Sequence, residues 1–275
     1  MNGLKRLLKL ILIICFIYIF VQANNEWLKI TQIEQRSPEI PQAFNNFKIV
    51  QISDLHDAQL GENHKNLITK VRKTNPDVIV FTGDLIDSRR YNLAQSIEAL
   101  TQLASIAPTY YVIGNHEVAT NELDLIYTQV EQAGAIPLKN SRAMLEKNGE
   151  EIALLGIEDP LTGSSVVNSI QLAKGQLTDD IYTILLSHRP ETFDDYVKEN
   201  IDFVLAGHAH GGQIRVPFIG GIVAPTQGFM PKYTKGLYIE EETTMFISGG
   251  IGNSSFPLRL FNRPEIIEIT LKSSK

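Results

Sequence analysis

Five short apolar runs constrain this chain more than any other feature, because each stops at a side chain able to bind a metal ion. Ile49 to Ser53 runs into Asp54-Leu55-His56, Val78 to Thr82 into Gly83-Asp84, and Tyr110 to Ile113 into Gly114-Asn115-His116-Glu117. Tyr182 to Leu186 leads to Ser187-His188, and Phe203 to Ala206 leads to Gly207-His208-Ala209-His210-Gly211-Gly212-Gln213. Short apolar runs bounded by turn residues read as buried strands. In open α/β sheets, ligands bind outside the carboxyl ends of the strands. Of six histidines, only His64 lies away from such an end. Histidines serving only the surface would be scattered over turns and helix faces, so the constellation reads as functional.

The spacing of the runs sets the fold class. Helical stretches over 61–74, 93–106 and 121–133 alternate with the first three strands, the signature of a mostly parallel sheet covered by helices. After Gly149 the rhythm changes. Strands are expected at 152–157, 182–187, 203–206, 213–216, 236–240, 244–248 and 265–271, with a helix at 191–199. Two mixed sheets packed face to face, each covered by helices, account for both halves: an α/β chain. Residues 158–178 and 217–235 read as long loops, and Gly249 to Ser254 as a tight turn at a sheet edge. An edge strand is expected at 27–34.

The N-terminus is different material. Lys5, Arg6 and Lys9 precede the uninterrupted apolar run Leu10 to Val21. A basic start followed by such a run is an export signal or a membrane anchor, and Val21-Gln22-Ala23 fits a signal-peptidase site. Residues 1–23 are therefore expected to be a signal anchor or a cleaved signal peptide, 24–46 a lead-in segment, and 47–275 one domain. The positive-inside rule places that domain on the extracytoplasmic side of the cell membrane, or outside the cell after cleavage. The net charge of −6 excludes a nucleic-acid backbone as the main partner, which needs a basic footprint. Cys15 is the only cysteine and lies within the apolar run, so no internal disulfide, thiol nucleophile or cysteine-rich zinc site is available.

The candidate ligands are Asp54, His56, Asp84, Asn115, His188, His208 and His210. This oxygen and nitrogen set without sulfur suits manganese, iron or zinc, whereas calcium prefers oxygens alone. Seven ligands exceed the four that one zinc takes, but two ions sharing a bridging carboxylate use them all. Such a pair clamps a phosphoryl group and activates a water.

In this order the residues resemble the calcineurin-like metallophosphoesterase superfamily, with its D-x-H, G-D, G-N-H-E/D, lone H and G-H-x-H series complete between about residues 48 and 212. The G-H-x-H-G-G-Q ending, the N-terminal apolar segment and Asn262-Arg263-Pro264-Glu265-Ile266 are most similar to bacterial membrane-associated members of the YkuE and YaeI type. The resemblance implies a four-layer α/β/β/α sandwich. It implies that Asp54, His56 and His210 hold one divalent or trivalent ion (manganese, iron or zinc), that Asn115, His188 and His208 hold the second, and that Asp84 bridges them. His116 would then be the catalytic residue that protonates the leaving oxygen, with a dimetal-bound hydroxide as nucleophile.

Lesser features have plainer readings. Asp87 either orders the metal surroundings or caps a turn. Arg89 and Arg90 either meet a substrate phosphate or form a surface pair. Asp57 is expected to be exposed and His64 to be a surface helix residue. Phe218, Ile219, Phe229 and Met230 either contact lipid or pack on the core. The implied function is hydrolysis of phosphomonoesters or phosphodiesters by a membrane-associated enzyme. The alternatives are hydrolysis of a phospholipid or lipid-linked pyrophosphate, and a non-catalytic metal-binding scaffold.

Overall fold

The computed structural model describes residues 2–253 and 258–274; Ser254, the last residue of the expected turn, lies outside them. The chain runs through α1 (Asn2–Glu26), β1 (Lys29–Ser37), β2 (Lys48–Ile52), α2 (Lys65–Thr74), β3 (Val78–Thr82), α3 (Leu93–Ala104), β4 (Thr109–Val112), α4 (Asn115–Ala119), α5 (Leu123–Gln132) and β5 (Ile136–Pro137). It continues through β6 (Ser141–Lys147), β7 (Glu150–Gly156), α6 (Val166–Lys174), β8 (Thr183–Leu186), α7 (Phe193–Lys198) and β9 (Phe203–Ala206). Four two-residue strands follow: β10 (Arg215–Val216), β11 (Gly220–Gly221), β12 (Val223–Ala224) and β13 (Gly228–Phe229). The last elements are β14 (Gly236–Glu240), β15 (Thr243–Ile247) and β16 (Glu265–Ser273).

Two six-stranded mixed sheets result, ordered β1-β16-β2-β3-β4-β5 and β14-β15-β9-β8-β7-β6. Strands β2 to β5 are parallel, as are β7, β8, β9 and β15. Apolar side chains of both sheets meet in one cluster, where Val80 and Val112 join Leu154, Ile184 and Leu205. The other face of the first sheet packs Ile79 and Phe81 against Leu67, Leu100 and Val130 of its helices. The second sheet packs Leu185 and Val204 against Ile170 and Tyr196. Strands buried on both faces read as continuous apolar runs rather than alternating ones, which is why β2, β3, β8 and β9 stand out in the sequence. A buried amide ties the sheets together near the site: Gln51 Nε2 donates to Ala206 O at 2.9 Å and to Thr82 Oγ1 at 3.0 Å.

Several expectations change. The 158–178 segment is not a plain loop, because Ser165 caps α6 by accepting from the Asn168 amide at 3.2 Å. The helix expected at 121–133 is α5, Leu123–Gln132, and a short helix that was not expected, α4, precedes it at Asn115–Ala119. The expected strand at 213–216 shrinks to Arg215–Val216, and 217–235 carries two small hairpins, β10–β11 and β12–β13. The lead-in segment supplies β1, which pairs parallel with β16 along its whole length, from Lys29 opposite Glu265 to Ser37 opposite Ser273.

The N-terminal segment is helical, yet among the described residues no helix is long and apolar enough to cross a membrane. This corrects the expectation of a spanning anchor. Lys5, Arg6 and Lys9 interrupt the start of α1, and Gln22, Asn24, Asn25 and Glu26 its end. The unbroken apolar stretch from Leu10 to Val21 reaches roughly 18 Å at about 1.5 Å per residue, against a hydrocarbon core of about 30 Å.

Glu265, fully buried at the start of β16, accepts from Thr31 Oγ1 at 2.7 Å and from the Gly249 amide at 3.0 Å. It pairs with Lys235 at 2.7 Å and Lys29 at 3.1 Å. Burial alone would raise its pKa, but Lys235, the Thr31 hydroxyl and Lys29 outweigh burial and hold the carboxyl below its usual range. A depressed acid contributes stability that is complete above its unfolded pKa and is lost as pH falls through the folded one. Glu265→Gln leaves the Lys235 charge buried without its partner and should cost about 3 kcal/mol, lowering Tm by roughly 6–12 °C at neutral pH. The deficit should shrink on acidification below pH ~4, which thermal denaturation across pH would show.

Candidate metal centre

Every predicted ligand follows the carboxyl end of a strand: Asp54 and His56 after β2, Asp84 after β3, Asn115 after β4, His188 after β8, and His208 and His210 after β9. The chain must turn sharply to aim these side chains inward. Asp54, His56, Asp84, His208 and His210 all have φ between 46° and 66°, a left-handed conformation that costs L-residues of order 1–3 kcal/mol each. Five of the seven candidate ligands share this strain, which turn residues elsewhere in the chain also carry. The turns are tight as well. A Cβ at Gly207 would collide with Ser53 Oγ, and one at Gly250 would lie 2.8 Å from Asp54 Cβ.

The side chains converge as two groups sharing one carboxylate. Asp54, His56, Asp84 and His210 can present ligand atoms all within 4.8 Å of one another, and so can Asp84, His188 and His208. Six of the seven predicted ligands are buried and Asn115 is half-buried. His56 Nε2 faces His210 Nε2 at 3.1 Å, and His188 Nε2 faces His208 Nδ1 at 3.2 Å. Asn115 Oδ1 is buried with no hydrogen-bond partner. A buried amide oxygen with no partner is costly on its own, and a cation held by Asn115 and the neighbouring ring nitrogens would satisfy it. The residues therefore fit two metal ions.

Electrostatics agree. Burial holds His208 and His210 well below the ordinary imidazole range and lowers His56 to about 4, so all three are neutral and able to donate a lone pair. Burial pushes Asp54 up to about 6, opposed by His188. Asp84 behaves differently: burial would raise it, but His188 at 3.2 Å holds it well below the carboxylate range, and His188 is raised in return. The His188 imidazolium thus supplies the positive charge that a cation brings to Asp84.

A surrounding layer fixes the ligands. His188 Nδ1 lies 2.8 Å from Thr82 O; the carbonyl only accepts, so Nδ1 carries the hydrogen and Nε2 turns to Asp84. Asp54 accepts from the His208 amide at 3.1 Å, and Asp84 Oδ1 from the His116 amide at 2.9 Å. Buried Glu117 accepts from the amides of Gly114, Leu85, Asp84 and Ile86 at 2.6, 2.7, 3.0 and 3.2 Å, joining the Asp84 turn to α4. Arg189 pairs with buried Asp159 and comes within 3.0 Å of His208 Nε2. Fully buried Arg259 donates to Gly249 O and Gly252 O behind His210. Asn262 Nδ2 donates to His210 O at 2.6 Å.

His116 stands beside the ligands, its ring 4.6 Å from that of His56. The Ser88 amide donates to its Nδ1 at 3.0 Å, which places the ring hydrogen of the neutral form on Nε2. Asp87 Oδ1 lies 3.5 Å from the same Nδ1, so Asp87 does order the surroundings of the site. Arg90 is clamped to Asp87 at 2.6 and 2.8 Å. It lines a polar groove of about 530 Å³ that runs from His56 past Asn66 and Asn92 to Asn253 and to Asn25 of α1. Two expectations fail. Asp57 is not simply exposed, since its carboxylate accepts from the Asp87 and Asn92 amides and from Ser96 Oγ. His64 is buried in a turn before α2, with Nε2 3.1 Å from Gln95 O, and is not a surface residue. Sequence reasoning gave no role to Glu117, Asp159, Arg189, Arg259 or Asn262. Only Glu117 and Asn262, each inside a quoted motif, carried a signal.

The calcineurin-like phosphoesterase family matches residues 47–212, more than half the chain. The chain belongs to that family, and with its residues placed for a dimetal site it is a phosphoester hydrolase. It is 32% identical over 252 residues to the metallophosphoesterase YkuE of Bacillus subtilis, covering 90% of this chain and 86% of that one. It is 34% identical to the metallophosphoesterase Cj0846 of Campylobacter jejuni, covering 99% of this chain and 71% of that one. Phosphodiesterase YaeI of Escherichia coli is 29% identical over 230 residues, 82% of each chain. The crystal structure of TT1561 from Thermus thermophilus has the same fold, with a TM-score of 0.52 at 14% identity over 74% of this chain and 89% of that one.

Glu117→Gln replaces one accepting oxygen with a donor and orphans two buried amides. It should destabilise the domain by about 2–4 kcal/mol and lower the bound metal per chain, read by elemental mass spectrometry.

Proposed function

We propose that the protein hydrolyses phosphodiesters at a dinuclear centre of manganese, iron or zinc. The observation that carries this reading is that Asp84 belongs to both ligand groups while His116, outside them, faces the same space. Asp54, His56 and His210 would hold one ion and Asn115, His188 and His208 the other, with Asp84 available to both. When bound, the metal pair polarises the phosphoryl group and makes a water nucleophilic at neutral pH. The His116 Nε2–H donates a hydrogen bond to the leaving oxygen and steadies its developing charge, with Nδ1 held by the Ser88 amide. The groove beside His56 receives the organic group, and its amide-rich lining favours a polar one. The likeness to phosphodiesterase YaeI supports the diester preference. The three apolar clusters support the four-layer sandwich. The basic start of α1 ahead of its apolar stretch supports a domain held at a membrane surface.

A lipid phosphoester is a second reading, favoured by the exposed Phe218, Ile219, Phe229 and Met230 on the hairpins that follow His210.

The protein stripped of metal and reloaded separately with manganese, zinc and iron should regain hydrolysis of bis-p-nitrophenyl phosphate. His116→Gln should keep its metal and lose about 10²–10⁴-fold in kcat. Asp84→Asn should lose both metal and activity. Wild-type protein that holds two ions yet hydrolyses neither mono- nor diester would favour the scaffold reading instead.

A further inference from the structure

One face of the molecule gathers large apolar side chains that the core does not use. Phe218 at the β10–β11 turn is 108% exposed, Phe229 of β13 73% and Phe261 60%. Phe218 and Phe261 share one patch, and Phe229 lies on the next hairpin, β12–β13. Phe261 lines a hollow of about 420 Å³ together with Val216, Phe218 and Ile219, and the Arg215 amide donates to Leu260 O at 3.0 Å. On its other side Phe261 packs edge-on against Phe20 of α1, with ring centroids 5.2 Å apart. Asn25 of α1 and Arg259 exchange two hydrogen bonds, at 2.8 and 3.3 Å, and Arg263 Nε donates to Trp27 O at 2.9 Å. The patch is thus continuous with α1, whose side chains are exposed from Leu4 to Ile19. An apolar patch of this kind marks an interaction surface.

Charge names the partner. The segments that build the face, 2–25, 203–239 and 258–264, contain none of the chain's 31 acidic residues and eight of its 25 Lys and Arg residues. In a chain of net charge −6 these segments are acid-free and cationic. Lys5, Arg6, Lys9 and Lys232 are exposed, while Arg259 is buried and Lys235 is paired with Glu265. Exposed cations beside apolar side chains are the composition that binds an anionic bilayer. The length of α1 adds a distance. An apolar stretch of roughly 18 Å immerses without crossing, so the domain beside it is drawn onto the lipid. The face also flanks the catalytic groove. Asn25 and Glu26 line that groove with His56, and Thr226, between β12 and β13, comes within 3.4 Å of His208 Nε2.

We propose that the β10–β13 hairpins, Phe261 and α1 form one docking face for an anionic lipid bilayer, setting the mouth of the dimetal groove at the headgroup plane so that its substrates are phosphoesters of membrane lipids. The substrate half of this inference rests on the phosphoesterase reading; the docking half does not.

Trp27 is the only tryptophan, so the full chain carrying Trp27→Phe and Phe218→Trp has one indole, at the hairpin tip. The chain, diluted from mild detergent, is added to phosphatidylcholine vesicles with and without phosphatidylglycerol. A blue-shifted emission, quenched at least twofold by brominated phosphatidylcholine and stronger with the anionic lipid, is the expected result. Water-like emission from chains that float with the vesicles would overturn docking of this face. A blue shift that grows with protein concentration in the absence of lipid would overturn it too, by showing a second copy on the patch. Phe218→Ser with Phe229→Ser should leave turnover of the soluble diester unchanged and lower hydrolysis of vesicle-borne phosphatidylglycerol or phosphatidic acid at least tenfold. Equal loss on soluble and vesicle substrates would overturn the substrate half. Tip insertion without soluble turnover in the wild type would sink the phosphoesterase reading and leave docking standing.

Discussion

Asp84 is the carboxylate on which both sheets converge. It follows β3 of the first sheet, yet its oxygens lie 3.2 Å from His188 of the second sheet and 3.5 Å from His56 of its own. Holding a buried anion there requires the β3 and β8 ends to meet in a single register. Glu117 secures one side by gathering four amides, and the His188–Thr82 contact secures the other. Buried carboxylates at this density are costly without positive charge. The packing of both sheets therefore calls for positive charge at their shared end, which the His188 imidazolium supplies to Asp84, and the backbone strain at five candidate ligands is part of the same arrangement.

The site was more legible in the sequence than the fold around it. Strands buried on both faces end abruptly, so a polar residue just beyond each end is conspicuous. That let Asp54, Asp84, Asn115, His188, His208 and His210 be located from local pattern alone. Edge strand β6 went unread because Ser141 to Lys147 is exposed at alternate positions and carries Arg142, Glu146 and Lys147. Helix α6 went unread because it is short and its start signal, Ser165, sits within a Gly-Ser-Ser stretch. The roles of Asp57 and Arg189 depend on partners about 30 residues away, and Arg259 stands behind His210, which precedes it by 49 residues in the chain. Such contacts leave no periodicity to detect. His64 shows the same blindness from the other side, since a polar residue in a turn is buried only because α3 passes over it.

The sequence from His208 to Phe229 does two jobs in sequence order. Its first residues are candidate ligands and its last are exposed apolar tips, with glycines between that allow backbones to approach closely. A Cβ on Gly211 would strike the Asn262 amide, and one on Gly212 would strike the Gly221 backbone. Movement at the tips is consequently transmitted to His210 through Asn262 and the Gly212–Gly221 contact rather than absorbed by a loose loop.

The pairing of β16 between β1 and β2 governs when the enzyme comes into being. The strand that aims Asp54 has β16 as one neighbour, and β16 follows every other strand of both sheets in the chain. Until β16 is in place, β2 has an open edge and Glu265 has not reached Lys29, Thr31 or Lys235. Helix α1 waits on the same stretch, since Asn25 and Phe20 meet Arg259 and Phe261. A chain stalled short of residue 258 would therefore carry all seven candidate ligands without the frame that aims them.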